Sequence, residues 1–340
     1  MLTPGAMNLP RIDSVFPENR RRPIVVFWIG YWAWFFALLP WMLLRQLGIS
    51  LHQALATLAT WNRTVELGDL QIVFMNSLPA FALTTIFGER FNAILYRDVL
   101  IDPGPLFGRG RLQTLLPALA GKVSAVVATH AHEEHVGNAA FAGATLGVPV
   151  YGSEVTLDGL RNPEELTLPR RAFIGQPEPS GAADVRPIPD VLRTGAVTFE
   201  VIRSPGHCDG HVSLFARESG VLFAGDSFLH AVFTAPNRDV SGAEWIDTLR
   251  GYCRLDVRTM VGTHGYVSTV DEGLPARGFV VRREDPRRLI REKLEFMEWA
   301  RDVVAEGERR ELPYPVIEAC LFPWQRFWSW QNWFADESGR

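Results

Sequence analysis

Four short apolar runs in the middle of the chain each stop at a side chain able to bind a metal ion. Val123–Ala128 leads into Thr129-His130-Ala131-His132-Glu133-Glu134-His135, and Val197–Ile202 into Arg203-Ser204-Pro205-Gly206-His207. Val221–Gly225 is followed by Asp226, and Arg258–Gly262 by Thr263-His264-Gly265. A histidine at one strand end is ordinarily a packed or hydrogen-bonded structural residue. Five of the eight histidines and two carboxylates at four equivalent positions are a different matter. In layered α/β sheets, ligand-bearing residues gather outside the carboxyl ends of the strands, so segments far apart in sequence converge there. His130 and His132, two apart, fall on one side of an extended backbone, and the following turn swings Glu134 and His135 toward a second point. Imidazole and carboxylate are ligands for zinc, iron or manganese, and three histidines with an open position describe a hydrolytic site, not a closed structural one.

The pattern around these ligands predicts an α/β fold. From about Val65 to Gly104 the runs LQIVF, FALTTIF, FNAILY and VLIDPG alternate and carry β-branched residues, which reads as antiparallel strands. A helix over Leu112–Leu119, a buried strand over Val123–Ala128, a helix over Val136–Gly147 and the strand VPVYG then make a β-α-β signal. Residues 162–189 form a polar, Pro-rich connection too long for an ordinary loop, read as a lid or insertion. The strands VTFEVI, VSLFA, VLFAG and RTMVG follow, with a helix near Glu244–Tyr252 before the last, and no internal repeat is present.

Three regions are delimited: 1–64, a catalytic unit at 65–280, and 281–340. Pro23–Leu44 is 22 residues without a charge, enough helix to match a hydrocarbon core of about 30 Å. It is too long for a signal-peptide core and lacks a cleavage site, so a single uncleaved N-terminal membrane anchor is expected. Pro40 and the mid-segment aromatics leave an interfacial placement or a buried soluble helix as alternatives. Arg11 and Arg20–Arg22 before the segment lean toward an extracytoplasmic catalytic unit. Asp285-Pro286 caps and opens a helix to about Glu306, with Ile290, Leu294, Met297 and Val304 on one face and Gly307 as its stop. The tail Phe322–Phe334 repeats the Trp-rich composition of the first segment. Such clusters suit a membrane–water boundary or the wall around an amphiphilic ligand, or the two ends pack on each other. With 34 basic against 38 acidic side chains there is no cationic field to draw nucleic acid. Three cysteines, Cys208, Cys253 and Cys320, are too few for a disulfide framework.

The ordered motifs resemble the metallo-β-lactamase superfamily. Its H-x-H-x-D-H pattern stands here as His130-x-His132-x-Glu134-His135. Leu100-Ile101-Asp102-Pro103-Gly104, SPGHCDGHVSL, Phe223-Ala224-Gly225-Asp226 and Gly262-Thr263-His264-Gly265 are similar to its other four segments, over roughly Val65 to Val270. The resemblance implies an αββα sandwich with two metal ions, zinc foremost, at one edge between the sheets; iron and manganese are the alternatives. Carried over, it implies that His130, His132 and His207 hold one ion, that Glu134, His135 and His264 hold the other, and that Asp226 bridges. A metal-held hydroxide would then cleave a carbonyl ester, thioester or lactone with an apolar portion, so the expected partners are a small-molecule or lipid-like substrate and membrane lipids. Alternatives are a phosphodiesterase on lipid head groups, a mono-iron persulfide dioxygenase using His130, His207 and Asp226, or a binding protein with a disabled site. Glu134 stands where the family has Asp, and the extra methylene shifts its carboxylate. It is expected to ligate through a moved backbone, to shuttle protons, or to leave a one-metal enzyme. Asp102 is expected behind the ligands, orienting one of them, or in a strand-end turn. His211 reads as structural, His230 and Tyr266 as facing the pocket, and Cys208 as lacking a base that would make it a nucleophile.

Overall fold

The computed structural model describes residues 9–16, 55, 58–75, 90–228, 241–275, 280–312 and 317. The apolar segment 23–44, the run FALTTIF at 81–87, His230 and the aromatic tail from 318 lie outside the described residues. Among the described residues no helix is long and apolar enough to cross a membrane. The chain divides into two units: one of Gln53–Leu229 with Thr234–Ile290, the other of Met1–His52, His230–Phe233 and Arg291–Arg340.

The first unit is built on two seven-stranded sheets. In one, β1 (Thr64–Leu67), β2 (Leu70–Met75), β3 (Phe91–Tyr96) and β4 (Val99–Ile101) pair antiparallel, as their alternation predicts. Then β5 (Ala125–Val127), β6 (Val150–Gly152) and β7 (Val185–Pro187) add in parallel. Parallel neighbours need crossovers, and helices α2 (Arg109–Leu119) and α4 (Ala139–Leu146) supply them; α1 (Ile12–Val15) belongs to the other unit, and α3 (Glu133–Val136) carries the ligand loop. In the second sheet β8 (Val191–Arg193), β9 (Thr198–Arg203), β10 (Val212–Ala216) and β11 (Val221–Gly225) are antiparallel. Strand β12 (Thr259–Gly262) runs parallel to β11, followed by β13 (Val267–Thr269) and β14 (Val281–Arg282).

Alternate residues choose the layer. Ile72, Phe74, Ile94, Tyr96 and Ile101 of the first sheet pack with Phe199, Val201, Leu214, Phe223 and Val261 of the second in one core. Their neighbours Val73, Met75, Ala93, Leu95 and Leu100 face outward onto Leu112 and Leu116 of α2, Ala139 and Ala142 of α4, and Leu157 and Leu160 of α5 (Glu154–Arg161). On the far side of the second sheet, the Tyr252 hydroxyl at the end of α7 (Gly242–Tyr252) meets Ser213 Oγ of β10 at 2.6 Å. The layers are helix, sheet, sheet and helix, the order that the resemblance implies.

Several local expectations are corrected. The connection 162–189 is not a bare lid: it holds α6 (Leu168–Ile174) and the edge strand β7, whose Pro187 an edge position tolerates. The helix expected over Val136–Gly147 is broken in two at Gly137–Asn138. The Asn138 amide donates to the carbonyls of Gly104 and Pro105, and a Cβ on Gly137 would sit 2.9 Å from Leu106 N. The C-terminal helix α8 (Pro286–Arg309) is capped as expected, with Arg287 N–H donating to Asp285 Oδ1 at 2.9 Å, but it runs through Gly307. In the second unit a Cβ there would lie 2.6 Å from Ile317 Cγ1, so close approach and not helix termination accounts for the glycine. There also, Trp299 Nε1–H donates to Pro10 O at 3.0 Å and the Arg310 guanidinium lies over Phe16.

Phe223 sits at the centre of the sheet-to-sheet core, 1% exposed, with Tyr96 and Phe199 rings at 5.0 and 5.9 Å. Phe223→Ala is expected to cost about 3–5 kcal/mol in a urea unfolding titration; a loss below about 1 kcal/mol would contradict this core assignment.

Candidate metal centre

The carboxyl ends of β5, β9, β11 and β12 meet at one edge of the sandwich, and the four histidine- and carboxylate-bearing segments meet with them. Asp226 is placed by an irregularity. Strands β11 and β12 run in parallel with Phe223 opposite Val261, but Gly225 opposite Gly262, so Ala224 is an extra residue on β11. The bulge sets Asp226 beside Thr263, whose hydroxyl donates to Asp226 Oδ1. That leaves Oδ2 facing four imidazoles: His135 Nε2 at 3.4 Å, His207 Nε2 and His264 Nε2 each at 3.5 Å, and His130 Nε2 at 4.0 Å.

Two donor groups result. One atom each from His130, His132, His207 and Asp226 lie within 4.8 Å of one another, and so do one each from His135, Asp226 and His264. Asp226 belongs to both. His132 Nδ1 and His207 Nε2 approach to 3.1 Å. Glu134 belongs to neither group; it is partly buried, and its charge acts on His135 and His207 from beside them.

Behind these donors the chain fixes how the rings of His130, His207 and His264 are turned. Asp102, with φ +44°, accepts from Thr129 N–H at 2.8 Å and from the Thr129 hydroxyl at 2.7 Å. That hydroxyl lies 2.9 Å from His130 Nδ1. Having given its one proton to Asp102, it accepts from Nδ1–H, which leaves the Nε2 lone pair of His130 turned toward Asp226. Asp102 therefore orients the His130 ring through a threonine. Two residues on, Gly104 N–H donates to His135 O at 2.8 Å, so the Asp-Pro-Gly segment grips both ends of the ligand loop. His264 Nδ1 lies 3.3 Å from Arg90 O. His207 packs edge-on against Trp245, ring centroids 5.7 Å apart, and a Cβ on Gly206 would strike the Trp245 backbone at 2.4 Å. Trp245 Nε1–H in turn donates to Ser227 O at 2.6 Å, and Thr248 hydroxyl to Pro205 O at 2.7 Å, so α7 holds the His207 and Asp226 loops together.

The electrostatics follow from burial and from Asp226. Burial opposes charge on Asp226, yet His135 and His264 hold its carboxyl well below the usual range. Burial lowers His135 too, but Asp226 outweighs it and pushes the imidazole up to about 9. Burial takes His207 down to about 4 against the pull of Asp226. Burial, with His135 and His132 alongside, holds His130 well below its ordinary value, and burial with His207 does the same to His211. Burial raises Asp102 against the pull of His135 and the Thr129 hydrogen bonds.

The donor chemistry fits divalent metal ions. His130 Nε2 is wholly buried with no hydrogen-bond partner, its lone pair directed at the cluster, and a buried imidazole nitrogen in that condition is accounted for by ligation. Among residues singled out from sequence, His211 touches the backbone of Asp226, Tyr266 has the guanidiniums of Arg90 and Arg282 over its ring at 4.3 and 4.8 Å, and Cys208 is buried. Thr129 and Thr263 escaped the sequence reading although a signal was present: each immediately precedes a histidine at a strand end.

Two packed sheets, flanking helices and a histidine–aspartate cluster at the strand ends define a metallohydrolase sandwich. The profile of the metallo-beta-lactamase superfamily matches residues 92–298, more than half of the 340, and the chain belongs to that superfamily. An uncharacterised protein of Aquifex aeolicus is 33% identical over 132 residues, 38% of this chain and 58% of that protein. The probable metallo-hydrolase YqjP of Bacillus subtilis is 27% identical over 241 residues, 57% of this chain and 73% of that one. A crystal structure of a metallo-beta-lactamase family protein from Thermus thermophilus superposes with TM-score 0.51 at 20% identity, covering 69% of this chain and 81% of that one. A beta-lactamase domain protein from Burkholderia ambifaria gives TM-score 0.52 at 17% identity, covering 76% and 85%. At these identities the structures show the fold.

Thr129→Val keeps the shape of the side chain and removes the hydroxyl between Asp102 and His130. Metal affinity, measured by competition with a chromogenic chelator, is expected to fall about 10- to 100-fold; unchanged affinity would contradict the orienting role.

Proposed function

We propose that the chain is a dinuclear metal-dependent hydrolase acting on a carbonyl ester, thioester or lactone that carries an apolar portion. The observation that carries this reading is the pair of donor groups sharing Asp226. His130, His132, His207 and Asp226 would hold one ion, and His135, Asp226 and His264 the other; membership of the superfamily and the similarity to a probable metallo-hydrolase support hydrolysis. Imidazole and carboxylate suit zinc, and the same set accepts iron or manganese. When bound, such ions bring the pKa of water to about 7 and polarise a carbonyl oxygen. The chain's own residues do the rest: Thr129 and Thr263 fix the His130 ring and the Asp226 carboxylate. Glu134, outside both donor groups, would serve as a proton acceptor beside them, a role supported by its charge acting on His135 and His207.

The unequal groups, four donors against three, make the second ion the weaker one. Protein purified with zinc supplied is expected to carry two ions per chain and to lose one on dialysis, whereas Glu134→Asp retains both. Esterase, thioesterase or lactonase turnover should vanish with chelation and return with zinc. Protein free of metal under both conditions would contradict the reading, as would a single iron with oxygen uptake; turnover of a phosphodiester alone would move the substrate class.

We also propose, from sequence, that residues 23–44 attach the chain to a membrane, supported by 22 consecutive uncharged residues. Full-length protein is expected in the membrane pellet after a carbonate wash; recovery in the supernatant would contradict attachment.

A further inference from the structure

His211 lies four residues beyond His207, buried, with its ring 4.9 Å from that of His130 and 6.2 Å from that of His207, and it meets Asp226 through the backbone. Its Nε2 is 3.1 Å from Asp226 N. The main-chain N–H can only donate, so Nε2 accepts, and a neutral imidazole that accepts at Nε2 carries its proton on Nδ1. Nδ1 faces two hydroxyls, Ser204 Oγ at 2.8 Å and Ser227 Oγ at 3.0 Å. Ser227 donates to Ser204 O at 3.0 Å. Ser213 donates to Ala224 O at 3.1 Å, and lies 2.9 Å from Ser204 Oγ and 2.6 Å from Tyr252 OH. One assignment satisfies every group: Tyr252 and Ser204 donate to Ser213, Ser213 and Ser227 donate to carbonyls, and His211 Nδ1–H donates to the serine pair. The opposite tautomer would turn the Nε2–H of His211 against the N–H of Asp226. Ser204, Ser213, Ser227 and Tyr252 are all shut off from solvent, so no water relieves such a mismatch. Gly225 makes the approach possible: at φ +55° it has no Cβ, and one added there would lie 2.4 Å from His211 Nε2.

We propose that His211 is a positioning residue for the bridging carboxylate, holding the Asp226 backbone through a tautomer that a buried hydroxyl chain from Tyr252 imposes. The inference rests on the metal centre proposed above. Asp226 serves both donor groups, so loosening its backbone weakens both ions together, whereas loss of any one histidine donor weakens one.

The test compares His211→Gln, whose Oε1 can accept from Asp226 N–H, with His211→Leu, which fills space and accepts nothing. Zinc affinity is read by chelator competition, folding by circular dichroism, and the His211 tautomer in the parent chain by long-range proton–nitrogen NMR. Expected are an Nδ1–H tautomer, parent-like affinities in His211→Gln, and a loss of about tenfold or more for both ions in His211→Leu. Equal losses in the two variants, no loss in either, or an Nε2–H tautomer would overturn the proposal. If His211→Leu does not fold, the tautomer in the parent chain decides. A parent chain that binds no zinc yet shows Nδ1–H would overturn the metal reading and leave the hold on Asp226 standing.

Discussion

One carboxylate oxygen sets the organisation of this protein. Asp226 Oδ2 lies within 4.0 Å of four imidazole nitrogens from three separate segments, and the residue is 3% exposed. A buried carboxylate costs several kcal/mol unless opposite charge and hydrogen bonds compensate it. The compensation comes from His135 and His264 and from the Thr263 hydroxyl on the other oxygen, while His211 satisfies the backbone N–H of the same residue. Two of the surrounding histidines are fixed in turn by groups further out, His211 by serines and Tyr252 and His130 by Thr129 and Asp102.

The sandwich serves this point by bringing strand ends of two sheets to one edge. The first sheet delivers the loop from His130 to His135 after β5 and clamps it with the turn after β4, through Thr129 and Gly104. The second delivers His207, Asp226 and His264, with a bulge in β11 that brings Asp226 level with Thr263. Helix α7 closes the arrangement from outside, its residues 245, 248 and 252 at helical spacing touching the Asp226 loop, the His207 loop and β10 in turn. The sheet-to-sheet core makes those strand ends rigid enough for donors that a metal tolerates to within about 0.2 Å.

Much of this was legible in the chain. The strands were readable where apolar runs of five or six residues alternate, as in Leu70–Met75 and Phe91–Tyr96, and the ligand-bearing positions because histidine is rare and its spacing distinctive. What escaped depended on partners distant in sequence. Strands β8, β13 and β14 span two or three residues each and exist because a neighbour offers an edge. The break at Gly137–Asn138 depends on Gly104, 34 residues away, and the hydroxyl of Tyr252 reaches Ser213 across 39. Glu134 is the instructive case: the resemblance implies a ligand there, the longer side chain leaves a proton shuttle open as well, and its carboxylate stands outside both donor groups.

Counting metal ions on Asp226→Ala, in protein that keeps the native circular dichroism spectrum, tests the shared carboxylate most directly. If Asp226 joins the two groups, both ions are lost together although all five histidines remain. Retention of one ion at parent affinity would contradict the account, because it would mean that one group is complete without the residue on which the rest is built.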